Sequence, residues 1–161
     1  MRTYGPFLRV GAVVGLLFLL LMEGCATTPR IPESILDTPQ HHVSNGYTLL
    51  KKARYEDAER EFDKALRHDP SHSAAYTGMG LVYGYKGDQR AAYQFMEKAK
   101  FFAKSRDEEL QFHVGWIRLR TVLRGENWLE DAERSYAQAL ALQKDSPEAS
   151  YYMGLAYKAA Y

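Results

Sequence analysis

"YEDAEREFDKAL" runs from Tyr55 to Leu66, and "LEDAERSYAQAL" runs from Leu129 to Leu140. A chain that writes nearly the same twelve letters twice is drawn toward folds that repeat one small unit, because like segments ask for like local structure. Within the first copy Tyr55, Ala58, Phe62, Ala65 and Leu66 fall at i, i+3, i+7, i+10 and i+11. That spacing is one face of a 3.6-residue helix. The other face carries Glu56 and Arg60, echoed by Glu130 and Arg134. Pairs at i, i+4 stabilise a helix by about 0.2–0.5 kcal/mol and mark a solvated surface rather than a site.

The repeating unit is longer than twelve residues. Gly46 and Gly80 are 34 residues apart, as are Ala58 and Ala92. Each glycine stands twelve residues before its alanine with a break between them, "KKARYED" in one copy and "YKGDQRA" in the other. A helix, a turn and a second antiparallel helix would bring such small residues together where the backbones approach closest. Four residues after each alanine comes a large side chain, Phe62 or Met96, to fill the groove toward the next unit; Ala65 or Ala99 follows three later. The pattern continues at Ala132, Tyr136 and Ala139, and at Gly154 in "YYMGLAY". Past His42 no alternating, strand-like run interrupts it.

In its 34-residue period and its fixed small and large positions, this region resembles the tetratricopeptide repeat. The resemblance implies an all-α fold, an α-solenoid of antiparallel helix pairs, over residues 41–161. About three and a half units are expected, at 41–72, 73–106, 107–146 and a partial 147–161. The third departs from the period, since Ala92 to Ala132 is 40 residues. In register with Ala132 the small position would be Arg120, so Gly115 in a longer first helix is the better candidate for the close contact. The fourth unit stops at Tyr161 after one apolar helix. Repeat arrays need a polar outer face at their ends. Further repeats in a longer protein, a partner, or a second copy of the chain are therefore expected to cover it.

Such solenoids coil around a concave surface lined by the first helix of each pair. The resemblance implies that this groove binds a protein or peptide, and it projects onto Val43, Tyr47, Leu50 and Lys51 of the first unit and Thr77, Leu81 and Tyr85 of the second. The set is mainly apolar and aromatic, suited to an apolar peptide face with tyrosine hydroxyls at the rim. The same positions also suit packing between units. Some members of the family clamp a peptide carboxylate with Lys and Asn where this chain has Val43 and Tyr47, so that mode is not expected.

No constellation for catalysis is visible. His41 and His42 are adjacent and point to different sides of a helix, His68 and His72 flank Pro70, and His113 stands alone. With a single cysteine and no helical His-x-x-x-His, no metal, cofactor or enzymatic activity is expected. "GMGLVYG" carries glycines at 80 and 84 but follows no strand, and close helix packing explains it. A formal charge of +1 gives no reason to expect nucleic acid as a partner.

The N-terminus supplies Arg2 and Arg9, then thirteen apolar or glycine residues from Val10 to Met22. That run is too short to span a bilayer, which takes about 20 residues, and suits a signal-peptide core. "MEGCATTPR" follows, and it resembles a bacterial lipoprotein signal in which residues 1–24 are removed and Cys25 is lipidated. Met22 and Glu23 stand where such signals usually carry Leu and a small residue, and an uncleaved anchor is the alternative. Residues 25–40 hold Pro29, Pro32 and Pro39 and read as a tether. These resemblances imply a lipid-anchored envelope protein on the periplasmic face. Ala26 after the cysteine implies sorting to the outer membrane.

The expected role is an adaptor or scaffold in envelope, pilus or secretion assembly, with a self-associating structural component as the alternative. Mass analysis of the protein from membranes is expected to find a chain that begins at lipidated Cys25, while Cys25→Ser keeps its leader. An unmodified chain beginning at Met1 would sink the lipoprotein reading.

Overall fold

The structure is a computed structural model that describes residues 37–161. The expected leader, Cys25 and residues 25–36 of the expected tether lie outside the described residues. Among the described residues there are seven α-helices and no strand: α1 Pro39–Lys51, α2 Tyr55–His68, α3 Ser73–Tyr85, α4 Gln89–Phe102, α5 Arg106–Leu123, α6 Trp128–Leu142 and α7 Pro147–Ala160. None is long and apolar enough to cross a membrane.

Local chemistry sets many of the boundaries. The side chains of Thr38, Asp88 and Ser146 accept hydrogen bonds from the backbone amides of His41, Ala91 and Ala149, and so cap α1, α4 and α7. Pro39 and Pro147 sit in the first turn, where a missing N–H costs nothing. Ser105 and Glu108 form a reciprocal capping box at α5. The bends between partners in the first two pairs each need a left-handed residue, supplied by Ala53 (φ 55°) and Gly87 (φ 82°). These two stand 34 positions apart, so the turn repeats with the helices. The α5–α6 bend instead uses Arg124 and Asn127 at positive φ.

Consecutive helices pair as α1 with α2, α3 with α4, and α5 with α6, and α7 packs against α5 and α6. The odd-numbered helices also pack on one another in succession. This is the solenoid-like, all-α arrangement expected. The alanines of the even-numbered helices, Ala58, Ala65, Ala92, Ala99, Ala132 and Ala139, have no exposed surface.

The large residue between those alanines holds neighbouring pairs together. Phe62 on α2 is fully buried. A Cβ added at Gly46 of α1 would come within 2.6 Å of its ring, and one added at Gly78 of α3 would collide with the same ring. Met96 on α4 is likewise fully buried, 3.0 Å from the Cβ position of Gly80 and 3.6 Å from that of Gly115 on α5. Each large side chain therefore fills space left by a glycine of its own pair and by a glycine of the next. Gly46 thus meets Phe62 rather than a bare backbone at Ala58, whereas Gly80 lies against both Met96 and the Ala92 carbonyl.

The third pair breaks this scheme where the repeat lengthens. α5 has 18 residues against 13 in α1 and α3, as the longer spacing implied. Gly115 is a close-contact glycine, but it faces Thr77 and Met96 of the preceding pair, not Ala132. Arg120 keeps the register position and is buried, its guanidinium 2.6 Å from Asp131 and 2.9 Å from the Glu126 carbonyl. Tyr136 is only half-buried and meets Ser150 through its hydroxyl at 3.2 Å. Gly154, expected as a packing glycine, is exposed, and a Cβ there would meet nothing within 4 Å. That role fails because no large side chain is directed at it.

Polar contacts add to the junction of the first two pairs. Glu59 on α2 accepts from Tyr83 Oη at 2.7 Å and from Lys86 Nζ at 2.9 Å, both from the α3 side. Partial burial opposes its charge, but the bonds from Lys86 and Tyr83 outweigh that and hold its pKa below the ordinary glutamate value.

Two outcomes follow from this packing. Gly78→Ala is expected to destabilise by about 1–3 kcal/mol through overpacking against Phe62. Gly154→Ala, in open space on a helix, is expected to stabilise by about 0.5–1 kcal/mol. Urea denaturation measures both, and equal effects would refute the role given to Phe62. The depressed pKa of Glu59 gives stability that is complete above the unfolded glutamate pKa and is lost as pH falls through the folded one. Glu59→Gln should accordingly be less stable than the parent at pH 7, with the gap closing as pH drops below about 4. A gap independent of pH would show that the charge is immaterial.

Candidate functional site

Because the odd-numbered helices pack in succession, their shared face forms a continuous surface, and a cavity of about 340 Å³ opens on it. All four of these helices contribute to its walls. α1 supplies Val43, Tyr47, Lys51 and the exposed Ser44 and Thr48; α3 supplies Leu81. From α5 come Gln111, Val114, Gly115 and Arg118, and from α7 come Glu148 and Tyr152.

Four of the seven groove residues expected from the sequence lie in this wall: Val43, Tyr47, Lys51 and Leu81. Tyr85 stands beside it and accepts a hydrogen bond from Arg118 Nε at 3.0 Å. Two expectations are corrected. Leu50 and Thr77 do not line the cavity and pack in the core, whereas Leu81, equally buried, forms part of its floor. Leu50 joins the apolar cluster of the first pairs. Thr77 turns its hydroxyl to the Ser73 carbonyl at 3.2 Å and its methyl toward Gly115. The close approach of α5 to α3, which Gly115 permits, is what buries it.

Arg118 dominates the electrostatics of the cavity. It is 9% exposed, and its guanidinium lies 5.3 Å and 5.4 Å from the ring centres of Tyr85 and Tyr152. Its hydrogen bonds go to these two phenol oxygens, the second at 3.4 Å from Nη1, rather than to a carboxylate. Burial works against its charge, yet the electron-rich tyrosines outweigh that and the net shift is upward, so Arg118 stays cationic. Tyr47 donates its hydroxyl to the Ala74 carbonyl at 3.1 Å, and burial pushes its pKa far up, so it remains a neutral phenol. The wall thus combines apolar and aromatic surface with one largely desolvated cation, and its exposed charges, Lys51 and Glu148, offset each other, an arrangement that favours an apolar ligand bearing a negative group at Arg118.

Sequence reasoning missed Arg118, Gln111, Val114, Glu148 and Tyr152. The expected groove positions lie in the first two units alone, and all five of these residues lie beyond them. The signal that was present is "GWIRLRTVL", two arginines within an otherwise apolar helical run. Arginine is rarely buried without partners.

A second cavity of about 500 Å³ is lined from α4, α5 and α6 by Phe112, His113, Trp116, Glu97, Arg134 and their neighbours. Asp131, one of its two acids with Glu97, is held by Arg120 and Arg134. Burial lowers the pKa of His113, whose Nδ1 is enclosed without a hydrogen-bond partner. Trp116 packs beside Tyr93 and Phe112 at the junction of pairs. Elsewhere, at the start of α1, Asp37, His42 and His68 come together in a group that could hold a metal ion. No family model matches the chain, and no curated protein matches its sequence.

Proposed function

We propose that this chain is a protein-binding adaptor of the tetratricopeptide-repeat type that holds a peptide segment of its partner in the cavity of α1, α3, α5 and α7. The observation that carries this reading is the cavity itself, continuous across four helices and built around buried Arg118. Val43, Leu81 and Val114 suit apolar side chains, and Tyr47, Tyr85 and Tyr152 offer broad aromatic contact at low entropic cost. Arg118 selects a partner with a carboxylate among apolar residues, since an anion there would supply the charge partner that two phenols do not. The 34-residue period and the paired helices support the family assignment.

Lipidation at Cys25, a periplasmic position and outer-membrane sorting belong to the same proposal and rest on "MEGCATTPR". An anchored adaptor fixes its partner at the membrane, which suits assembly of envelope, pilus or secretion structures. A second reading, self-association, is favoured by the surface of α7: Tyr151 is 62% exposed, Leu155 40% and Tyr157 41%. An apolar patch of this kind is an association surface.

Site-specific crosslinking separates the two. A photoreactive group at Thr48, on the exposed rim of the cavity, is expected to capture one defined partner from membranes. Ser44→Arg, which fills the cavity from a solvent-exposed position, abolishes the capture, while a group at Arg60 on the outer face of α2 captures nothing specific. Capture that survives Ser44→Arg overturns the groove reading. A group at Tyr151 that captures a second copy of the chain, with none at Thr48, decides for self-association.

A further inference from the structure

The hairpin of α1 and α2 sets the start of one helix beside the end of the other, and ligating side chains from three places in the chain converge there. His42 lies in the first turn of α1, His68 ends α2, and Asp37 immediately precedes the α1 cap at Thr38. Asp37 Oδ1 is 2.9 Å from His42 Nε2 and 3.1 Å from His68 Nε2. The two imidazoles stack with centres 5.6 Å apart and planes 13° from parallel. All three ligand atoms lie within 4.8 Å of one another.

We propose that Asp37, His42 and His68 form a binding site for a divalent transition-metal ion, with zinc the best match. A tetrahedral zinc about 2.0–2.1 Å from nitrogen and oxygen ligands keeps neighbouring ligand atoms roughly 3.3 Å apart. The two contacts to Asp37 are a few tenths of an ångström shorter, and the exposed His68 ring is the one that must turn about its side-chain bonds to bring both imidazole planes onto one ion. Two imidazoles and one carboxylate make a donor set of intermediate hardness that suits zinc, and they leave a fourth position for water.

The surroundings of His42 match what a ligating histidine requires. Its far nitrogen, Nδ1, lies 2.8 Å from Glu61 Oε2. A carboxylate at that nitrogen holds the proton on Nδ1 and leaves the Nε2 lone pair free for metal. Glu61 is itself held by Lys64 Nζ at 2.7 Å and Asn45 Nδ2 at 3.5 Å, and His42 is 7% exposed, so the ring cannot swing away. Asp37 and His68 are on the solvent side, which gives the ion a path in. The Glu61 contact alone would explain the placement of His42, but not the second imidazole turned onto the same Asp37 oxygen.

The sequence gives no sign of this site, because it has a single cysteine and no helical His-x-x-x-His. His42 and His68 are 26 residues apart and become neighbours only through the antiparallel pairing of α1 and α2. A bound ion would fasten the chain entering α1 to the far end of α2.

The test uses the full chain, purified without a histidine tag and stripped with a chelator. Zinc chloride titrated in competition with a chromophoric chelator is expected to show one equivalent bound at micromolar affinity or tighter. Cobalt(II) should give the visible absorption of a tetrahedral site. His68→Ala and Asp37→Asn, both at solvent-facing residues, should each weaken binding at least tenfold with unchanged circular dichroism. His41→Ala, His113→Ala and Cys25→Ser should leave it intact. Absence of saturable binding in the micromolar range overturns the proposal, as does binding that survives both ligand substitutions or is lost with Cys25→Ser.

Discussion

A single steric relation underlies this solenoid: a large side chain on a second helix occupies the room left by glycines on the first helices of two successive pairs. Phe62 sits between Gly46 and Gly78, and Met96 between Gly80 and Gly115. No helix here could be stable alone, because α2 and α4 bury their apolar faces only against their neighbours. The plug couples each pair to the next, so the helices stack in order and the odd-numbered ones come to share a face. The cavity of Val43, Tyr47, Leu81 and Arg118 depends on that coupling. It exists because α1, α3, α5 and α7 are held side by side.

The coupling weakens toward the C-terminal side, and the structure shows how. Tyr136 takes the place of Phe62 and Met96 in the third pair, but it is half-buried and meets Ser150 instead of a glycine. Val114, Ile117, Ala132, Ala139 and the buried residues of α7 form an apolar cluster separate from that of the first two pairs. α5 contributes to both clusters, with Phe112 and Leu119 in one and Val114 and Ile117 in the other. Residues on opposite sides of one helix between 112 and 119 thus join the two halves, and the same helix places Arg118 beside Tyr85 and Tyr152.

Burial within a solenoid is decided by distances between helices, which letters on one helix do not carry. Leu50 and Thr77 occupy repeat positions that face a groove in principle, yet the approach of α5 to α3 at Gly115 covers Thr77, and Leu50 closes into the first core. Gly154 has the sequence context of Gly80, but no large side chain is aimed at it. The turn residue Ala53, left-handed like Gly87, repeats a backbone conformation although its letter gives no hint of it.

The helices, their pairing, the longer α5 and the packing role of the even-helix alanines were legible in the sequence. Each rests on periodicity along the chain, and a period of 3.6 or 34 residues is a one-dimensional signal. The shared "EDAER" was legible too, as solvated surface around a packing alanine. Only the tertiary structure decided which first-helix residues stay open to a ligand, that Arg118 lies between two phenols, and that His42, His68 and Asp37 meet. Those facts depend on residues far apart in the chain arriving within a few ångströms of one another. The packing of helix against helix sets that arrival, and a period along the chain does not carry the distances between helices.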